Sequence, residues 1–193
     1  MPISLQKGQR ISLSKEGGAG LRGIVMGLGW DMKKPTGVLG FLRAPQAIDL
    51  DASCLMFDGT KNLVDVVYFG KLQSNDRSIQ HTGDNRTGAG DGDDEQIIVD
   101  LTRVSANVTS LIFVVNSFTG QNFSQIENAV CRVVDQSNNS ELARYDLSCT
   151  GNHTAMVMTK VYRHGGEWKL HAIGEIASGR TFVELAPAVV PHI

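Results

Sequence analysis

No stretch of this chain reaches the ~18 consecutive apolar residues that a membrane-crossing helix needs. The longest apolar runs, such as LIFVV at 111–115, have the length of a strand. Cysteine is scarce. Cys54, Cys131 and Cys149 are far apart, odd in number and form no C-x-x-C pair. That argues against a disulfide framework and a thiolate zinc site, and it fits a reducing compartment. The opening segment, MPISLQKGQRISLSKEGG, lacks the apolar centre of a secretory signal. A soluble, cytoplasmic protein is therefore expected. Charge of one sign is also lacking: the formal net charge is −2, so no overall basic field points to nucleic acid.

Recognisable catalytic signatures are missing too. No G-x-x-x-x-G-K-[ST] and no G-x-S-x-G occurs. Gly18-Ala19-Gly20-Leu21-Arg22-Gly23 fits G-x-G-x-x-G, but the following IVMGLGW reads as a strand. A dinucleotide fingerprint must instead open a helix.

What is present is glycine, at 21 residues, against 5 prolines. Glycine-bounded apolar segments predict short strands joined by turns. Strands are expected at 9–14, 22–30, 50–57, 63–69, 96–101, 110–116, 128–134, 141–147, 154–163 and 167–177. Asp58-Gly59, DQSNNS at 135–140 and His164-Gly165-Gly166 supply turn signals between them. This pattern predicts an all-β fold, a two-sheet β-sandwich, as one domain over 1–193. A short C-terminal helix is expected within 180–190, interrupted by Pro187. Residues 119–128 are ambiguous. Two polar stretches, 31–48 and 70–95, read as long loops, which in a compact domain are usually functional or disordered.

The second loop holds the densest acidic cluster: Asp84, Asp91, Asp93, Asp94 and Glu95, interleaved with Gly83, Gly88, Gly90 and Gly92. Carboxylates this close repel unless solvated or neutralised by a cation. Glycines allow the backbone to fold tightly, so that carboxylates and carbonyls converge. Hard cations such as Ca²⁺ take six to eight such oxygens. Asp49 and Asp51 flank Leu50 and so share one face of a strand. Asp31 closes the Gly29-Trp30-Asp31 strand end. Loops at one end of a sandwich cluster, so these groups can meet at a calcium-binding rim. The EF-hand spacing fails, because glycine and glutamate are absent where that loop needs them. A solvated acidic loop, or a magnesium or catalytic metal site, are the alternatives at this point. His81 beside the loop reads as a solvated histidine, with support of a metal ligand as the other reading. Cys54 reads as inert core, and Trp30 and Trp168 as packing.

The run His81-Thr82-Gly83-Asp84-Asn85-Arg86-Thr87-Gly88-Ala89-Gly90-Asp91-Gly92-Asp93-Asp94-Glu95 resembles the signature of the tellurium-resistance TerD family. Gly27-Leu28-Gly29-Trp30-Asp31, Asp49-Leu50-Asp51-Ala52-Ser53 and Ala143-Arg144-Tyr145-Asp146-Leu147 continue the likeness over nearly the whole chain. The segment between Asp31 and Asp49, with Lys33, Lys34, Pro35 and Arg43, and the end TFVELAPAVVPHI depart from the general pattern.

The resemblance implies a β-sandwich that binds two Ca²⁺ ions at one end, in a cytoplasmic bacterial stress and tellurite-resistance system. It carries metal ligation onto Asp31, Asp49, Asp51, Asp84, Asp91, Asp93, Asp94 and Glu95, with backbone oxygens near Asn85 and Gly92. The function expected is a non-enzymatic, calcium-dependent binding or scaffold module. Its partners would be proteins of the same stress system or, through calcium, the inner face of the membrane, and not nucleic acid. The alternative is a metal-dependent enzyme acting on a small molecule through the carboxylates.

Overall fold

The structure is a computed structural model that describes residues 2–18, 20–32, 49–83, 92–147 and 151–193. Twelve strands are present among these residues: β1 (Ile3–Ser4), β2 (Arg10–Ser12), β3 (Gly23–Met32), β4 (Leu50–Asp58), β5 (Leu63–Val67), β6 (Ile79–His81), β7 (Glu95–Asp100), β8 (Val108–Ser117), β9 (Ile126–Asp135), β10 (Glu141–Asp146), β11 (Ala155–His164) and β12 (Glu167–Ala177). They form two six-stranded sheets. The first runs β1-β10-β9-β3-β7-β6, and the second runs β2-β12-β11-β8-β4-β5. The expected sandwich is the observed fold.

Alternation builds the core. Met26 and Leu28 of the first sheet, and Cys54, Met56, Leu111 and Phe113 of the second, point into one shared buried cluster. Their neighbours along each strand point outward, as period-two strands require. Burying one such aliphatic or aromatic side chain contributes roughly 1.5–3 kcal/mol.

The outer face of the second sheet is apolar along β4 and β8. Leu55, Phe57, Ile112 and Val114 form a second cluster there with Leu185 and Val189. The C-terminal segment supplies that cover through α2 (Ala186–Val189) and a 3₁₀ turn over Val190–His192. Pro187 lies in the first turn of α2. A missing N–H costs nothing there, so proline begins this helix instead of interrupting it.

Two other expectations change. Only Arg10–Ser12 of the segment 9–14 is extended; Ser12 Oγ then accepts from Lys15 N–H at 3.3 Å and caps α1 (Leu13–Glu16). The turn into α1 buries Leu13 completely. The polar stretch 70–95 also contains β6, paired with β7 through Ile79↔Val99 and His81↔Ile97. Asp76 organises the turn before β6. Its carboxylate accepts from Ser74 Oγ, Ser78 Oγ, Ser78 N–H and Ser105 N–H at 2.6–3.0 Å.

Candidate metal centre

Several strand ends meet at one end of the sandwich. β3 finishes past Trp30 and Asp31, β7 begins at Glu95, and β4 begins at Leu50. Pairing of β3 with β7 sets Leu28 opposite Glu95, and pairing of β4 with β8 sets Asp51 opposite Asn116.

Glu95 is the pivot of this end. It is 1% exposed. Its Oε2 accepts from Ala52 N–H at 2.7 Å, so a carboxyl on one sheet holds the main chain of the other. His81 Nε2 lies 3.4 Å from the same oxygen, and both side chains are shielded from solvent. Gly83 N–H donates to His81 Nδ1 at 3.1 Å. That bond assigns the ring proton to Nε2, facing Glu95. His81 is therefore buried on β6 and backs Glu95; the solvated-histidine reading is corrected. The Ile79/His81 alternation was the available signal.

Asp94 is anchored to the end of β3. Its N–H donates to Leu28 O at 2.8 Å, and its Oδ2 accepts from Trp30 N–H at 2.9 Å. Burial raises the Asp94 carboxyl above its ordinary pKa. The Trp30 N–H opposes that rise, and the Asp31 and Asp93 charges add to it. Asp31 itself is exposed and accepts from Asn128 Nδ2 at 2.8 Å. Across the rim, Asn116 Nδ2 lies 3.4 Å from Asp51 Oδ2 and also donates to Arg180 O at 2.8 Å. Asp49 O accepts from Phe118 N–H at 3.1 Å, and Asp49 Oδ1 is sealed from solvent.

Asp93 goes elsewhere. Arg132 grips its carboxylate with two prongs, Nε to Oδ1 at 2.6 Å and Nη2 to Oδ2 at 3.1 Å. Gln96 Nε2 adds a third donor at 3.0 Å. Arg132 stands opposite Gly27 on β3. A Cβ at Gly27 would lie 2.1 Å from Asp93 Oδ2, and one at Gly29 would lie 2.9 Å from Gly92 O. The two glycines thus let the segment 92–94 lie flat on the sheet. Glu95 faces the interior while Asp93 lies on the outside.

The matches to known proteins agree with this architecture. Residues 1–187 match the TerD domain. The chain belongs to the TerD family. It is 48% identical to tellurium resistance protein TerZ of Serratia marcescens over 192 residues, covering 99% of this chain and 98% of that protein. It is 46% identical to stress response protein SCP2 of Bacillus subtilis (strain 168) over 187 residues, covering 91% and 92% of the two chains. A solved structure of a homologue of telluride resistance protein TerD from Streptomyces coelicolor A3(2) superposes with a TM-score of 0.65. That match has 22% identity and covers 84% of this chain and 92% of that one.

Within this TerD domain, the structure brings Asp31, Asp49, Asp51, Asp94 and Glu95 to one end, and commits Asp93 to Arg132. Asp84, Asn85 and Asp91 lie outside the described residues. Among the described residues, no group of three or more His, Cys, Asp or Glu side chains forms a metal cage. Arg132 and Asn116 were not singled out from the sequence, because neither carries a local motif. Cys54 and Cys131 are buried, and burial pushes the Cys131 thiol up to about 12. Both fit inert core, as expected for Cys54.

Proposed function

We propose that the acidic rim binds Ca²⁺, as two ions, and that this chain serves as a calcium-dependent binding module rather than an enzyme. Its setting is the stress-response and tellurium-resistance family to which it belongs. The observation that carries the calcium reading is the adjacent pair Asp94 and Glu95. Both are fixed by main-chain N–H groups of other strands, and the Asp94 carboxyl is pushed up by burial and by neighbouring carboxylates. A hard divalent cation would relieve that repulsion and accept mixed carboxylate and carbonyl oxygens.

The donor set fits calcium with one revision. Asp31, Asp49, Asp51, Asp94 and Glu95 would hold the ions, with Asp84, Asn85, Asp91 and Gly92 as the remaining ligands from the glycine-rich loop. Asp93 is assigned to Arg132 and not to the metal. Bound calcium would supply charge neutralisation and tie the loop to both sheets. The enzyme alternative needs a base or nucleophile open to substrate at the rim. His81, the histidine beside Glu95, is shielded from solvent.

An apolar patch adjoins the rim. Phe69 and Phe118 are 37% and 40% exposed and meet edge to face at 5.5 Å. Phe118 is joined to the rim through its N–H bond to Asp49 O. Exposed aromatic side chains beside a calcium site suit contact with a protein of the same stress system or with an anionic membrane surface at the cytoplasmic side. No helix among the described residues is long and apolar enough to cross a membrane.

Calorimetric titration of chelated protein with Ca²⁺ and Mg²⁺ tests the proposal. Two calcium sites and weaker magnesium binding are expected. The melting temperature should rise with calcium, because a ligand at a thousandfold excess over Kd adds about 4 kcal/mol to stability. An absence of binding heat, together with an unchanged melting curve, would overturn the calcium reading. Sedimentation with anionic vesicles in calcium and in chelator separates the membrane partner from the protein partner.

A further inference from the structure

A second concave site lies away from the acidic rim, on the outer face of the second sheet. The apolar cover from the C-terminal segment ends there, and cations take over. Register places Arg10 beside His171 and His171 beside Lys160, one row across β2, β12 and β11. The next row is Ser12, Lys169 and Tyr162. In-register side chains on antiparallel neighbours share a face, with Cβ atoms ~4.5–5.5 Å apart.

Two hollows sit over these rows. One, of about 560 Å³, is lined by Arg10, Ser12, Lys15, Tyr162 and Lys169. The other, of about 250 Å³, is lined by Arg10, Lys160, Tyr162, His171 and His192. They share Arg10 and Tyr162, so they adjoin. The C-terminal segment forms one wall: Lys160 Nζ donates to His192 O at 2.8 Å and stands 5.4 Å from the Tyr162 ring centre.

The charge in this site is lopsided. Arg10, Lys15 and Lys169 share the larger hollow with Glu167, whose Oε2 accepts from Ser12 Oγ at 2.9 Å, and Lys160 joins Arg10 in the smaller one. Glu175 stands at the margin, paired with Lys7 at 3.7 Å. An ordinary basic surface lets its long side chains splay into water. Lys160 is held by the His192 carbonyl and the Tyr162 ring. Burial first, then Lys61 and Arg10, hold the Lys160 ammonium below its usual pKa; burial, then Arg10, His192 and Lys160, do the same for His171. The site therefore keeps cations close against their mutual repulsion, which an anion would relieve.

We infer that these adjoining hollows form a binding site for a ligand carrying two phosphate groups. The larger hollow falls in the roughly 300–1,000 Å³ range of small-molecule sites. The Arg10 guanidinium can offer a two-pronged contact to a phosphate, and the lysines act as point charges. Tyr162 adds a hydroxyl group, whereas the single Ser12 O–H proton is already given to Glu167.

The test uses the full chain in a calcium-containing buffer at constant ionic strength. Amide resonances are followed by NMR during titration with fructose 1,6-bisphosphate, with sulfate as the simple-anion control. Saturable shifts are expected in β2, β11 and β12, tighter for the bisphosphate than for sulfate. Lys169→Glu and, separately, Arg10→Glu should each weaken binding about tenfold or more, the loss of one charged hydrogen bond. Neither should change calcium titration. Vesicles carrying phosphatidylinositol 4,5-bisphosphate form a second arm; sedimentation lost in both variants, without binding of the sugar bisphosphate, would support the site and place its phosphates on a lipid headgroup. Non-saturating shifts alike for sulfate and bisphosphate, or binding to both probes unchanged in both folded variants, would overturn the inference.

Discussion

Glu95 Oε2 and the Ala52 N–H lie 2.7 Å apart, so a side chain of one sheet completes the main-chain bonding of the other. Ala52 is itself buried. Replacing Glu95 by Ala leaves that N–H without its acceptor, at a cost of about 1–3 kcal/mol. Glu95→Gln separates the two roles of the residue, because the amide oxygen still accepts from Ala52 while the charge is gone. Urea unfolding should show a smaller stability loss for Gln than for Ala. Under the calcium proposal, both variants should respond less to calcium than the parent chain. A Gln variant with a full calcium response would remove Glu95 from the ligand set.

Asp93 gives the opposite prediction. Its carboxylate is nearly sealed and is held by Arg132 and Gln96. Asp93→Ala strands the guanidinium, but Arg132 is 30% exposed and is also near Glu141 at 3.5 Å. Water and Glu141 therefore take up part of the loss, and about 1–2 kcal/mol is expected. Under the calcium proposal, the rise in melting temperature on adding calcium should persist in this variant. Its disappearance would return Asp93 to the metal ligands.

The glycines of β3 set the position of the rim. A methyl group at Gly27 would occupy the space of the Asp93 carboxylate, 2.1 Å from Oδ2. Gly27→Ala should therefore displace the segment 92–94, lower stability by roughly 1–3 kcal/mol and weaken calcium binding as well. Gly174→Ala is the matched control. It crowds the Tyr145 hydroxyl at 1.9 Å and strains a φ of +61°, on a strand away from the carboxylates. It should lower the melting temperature and leave calcium affinity unchanged. Equal calcium affinities in the two variants would count against a role for Gly27 in placing the rim.

Local chemistry made most of the fold readable in advance. The boundaries of β12 follow from alternation starting just after Gly165-Gly166, both at positive φ in a tight hairpin. The β4–β5 hairpin follows from Asp58, whose side chain accepts from Thr60 and Asn62 in the turn. The strand-end carboxylates Asp31, Asp49 and Asp51 were readable for the same reason. β6 was not, because its one sign, the alternation of Ile79 and His81 about Gln80, is only three residues long inside a polar stretch, and its burial depends on β7. The partner of Asp93 was equally hidden. An aspartate in an acidic, glycine-rich run carries no local mark of an arginine on another strand, and it is the pairing of β3 with β9 that brings Arg132 to Asp93.

Asp76 predicts how the support beneath His81 responds to acid. Burial works to raise its carboxyl, but hydrogen bonds from the Ser78 and Ser74 hydroxyls and the Ser78 and Ser105 N–H groups outweigh it. The net effect holds the group well below the usual carboxylate range. An aspartate in the unfolded chain titrates near about 3.9. The folded state thus binds its proton more weakly than the unfolded state. The stability that Asp76 contributes is fully present above about pH 4–5 and is lost as pH falls through the depressed folded pKa. Asp76→Asn should accordingly be less stable than the parent chain at neutral pH, with the gap narrowing only in strong acid. The Ser74–Ile79 turn positions β6, so the variant should also loosen His81. That loosening is measurable as faster amide exchange at His81, whose N–H donates to Leu72 O. Unfolding free energies for the two chains that run parallel from neutral pH down to about pH 2 would show that the charge of Asp76 does not support the turn.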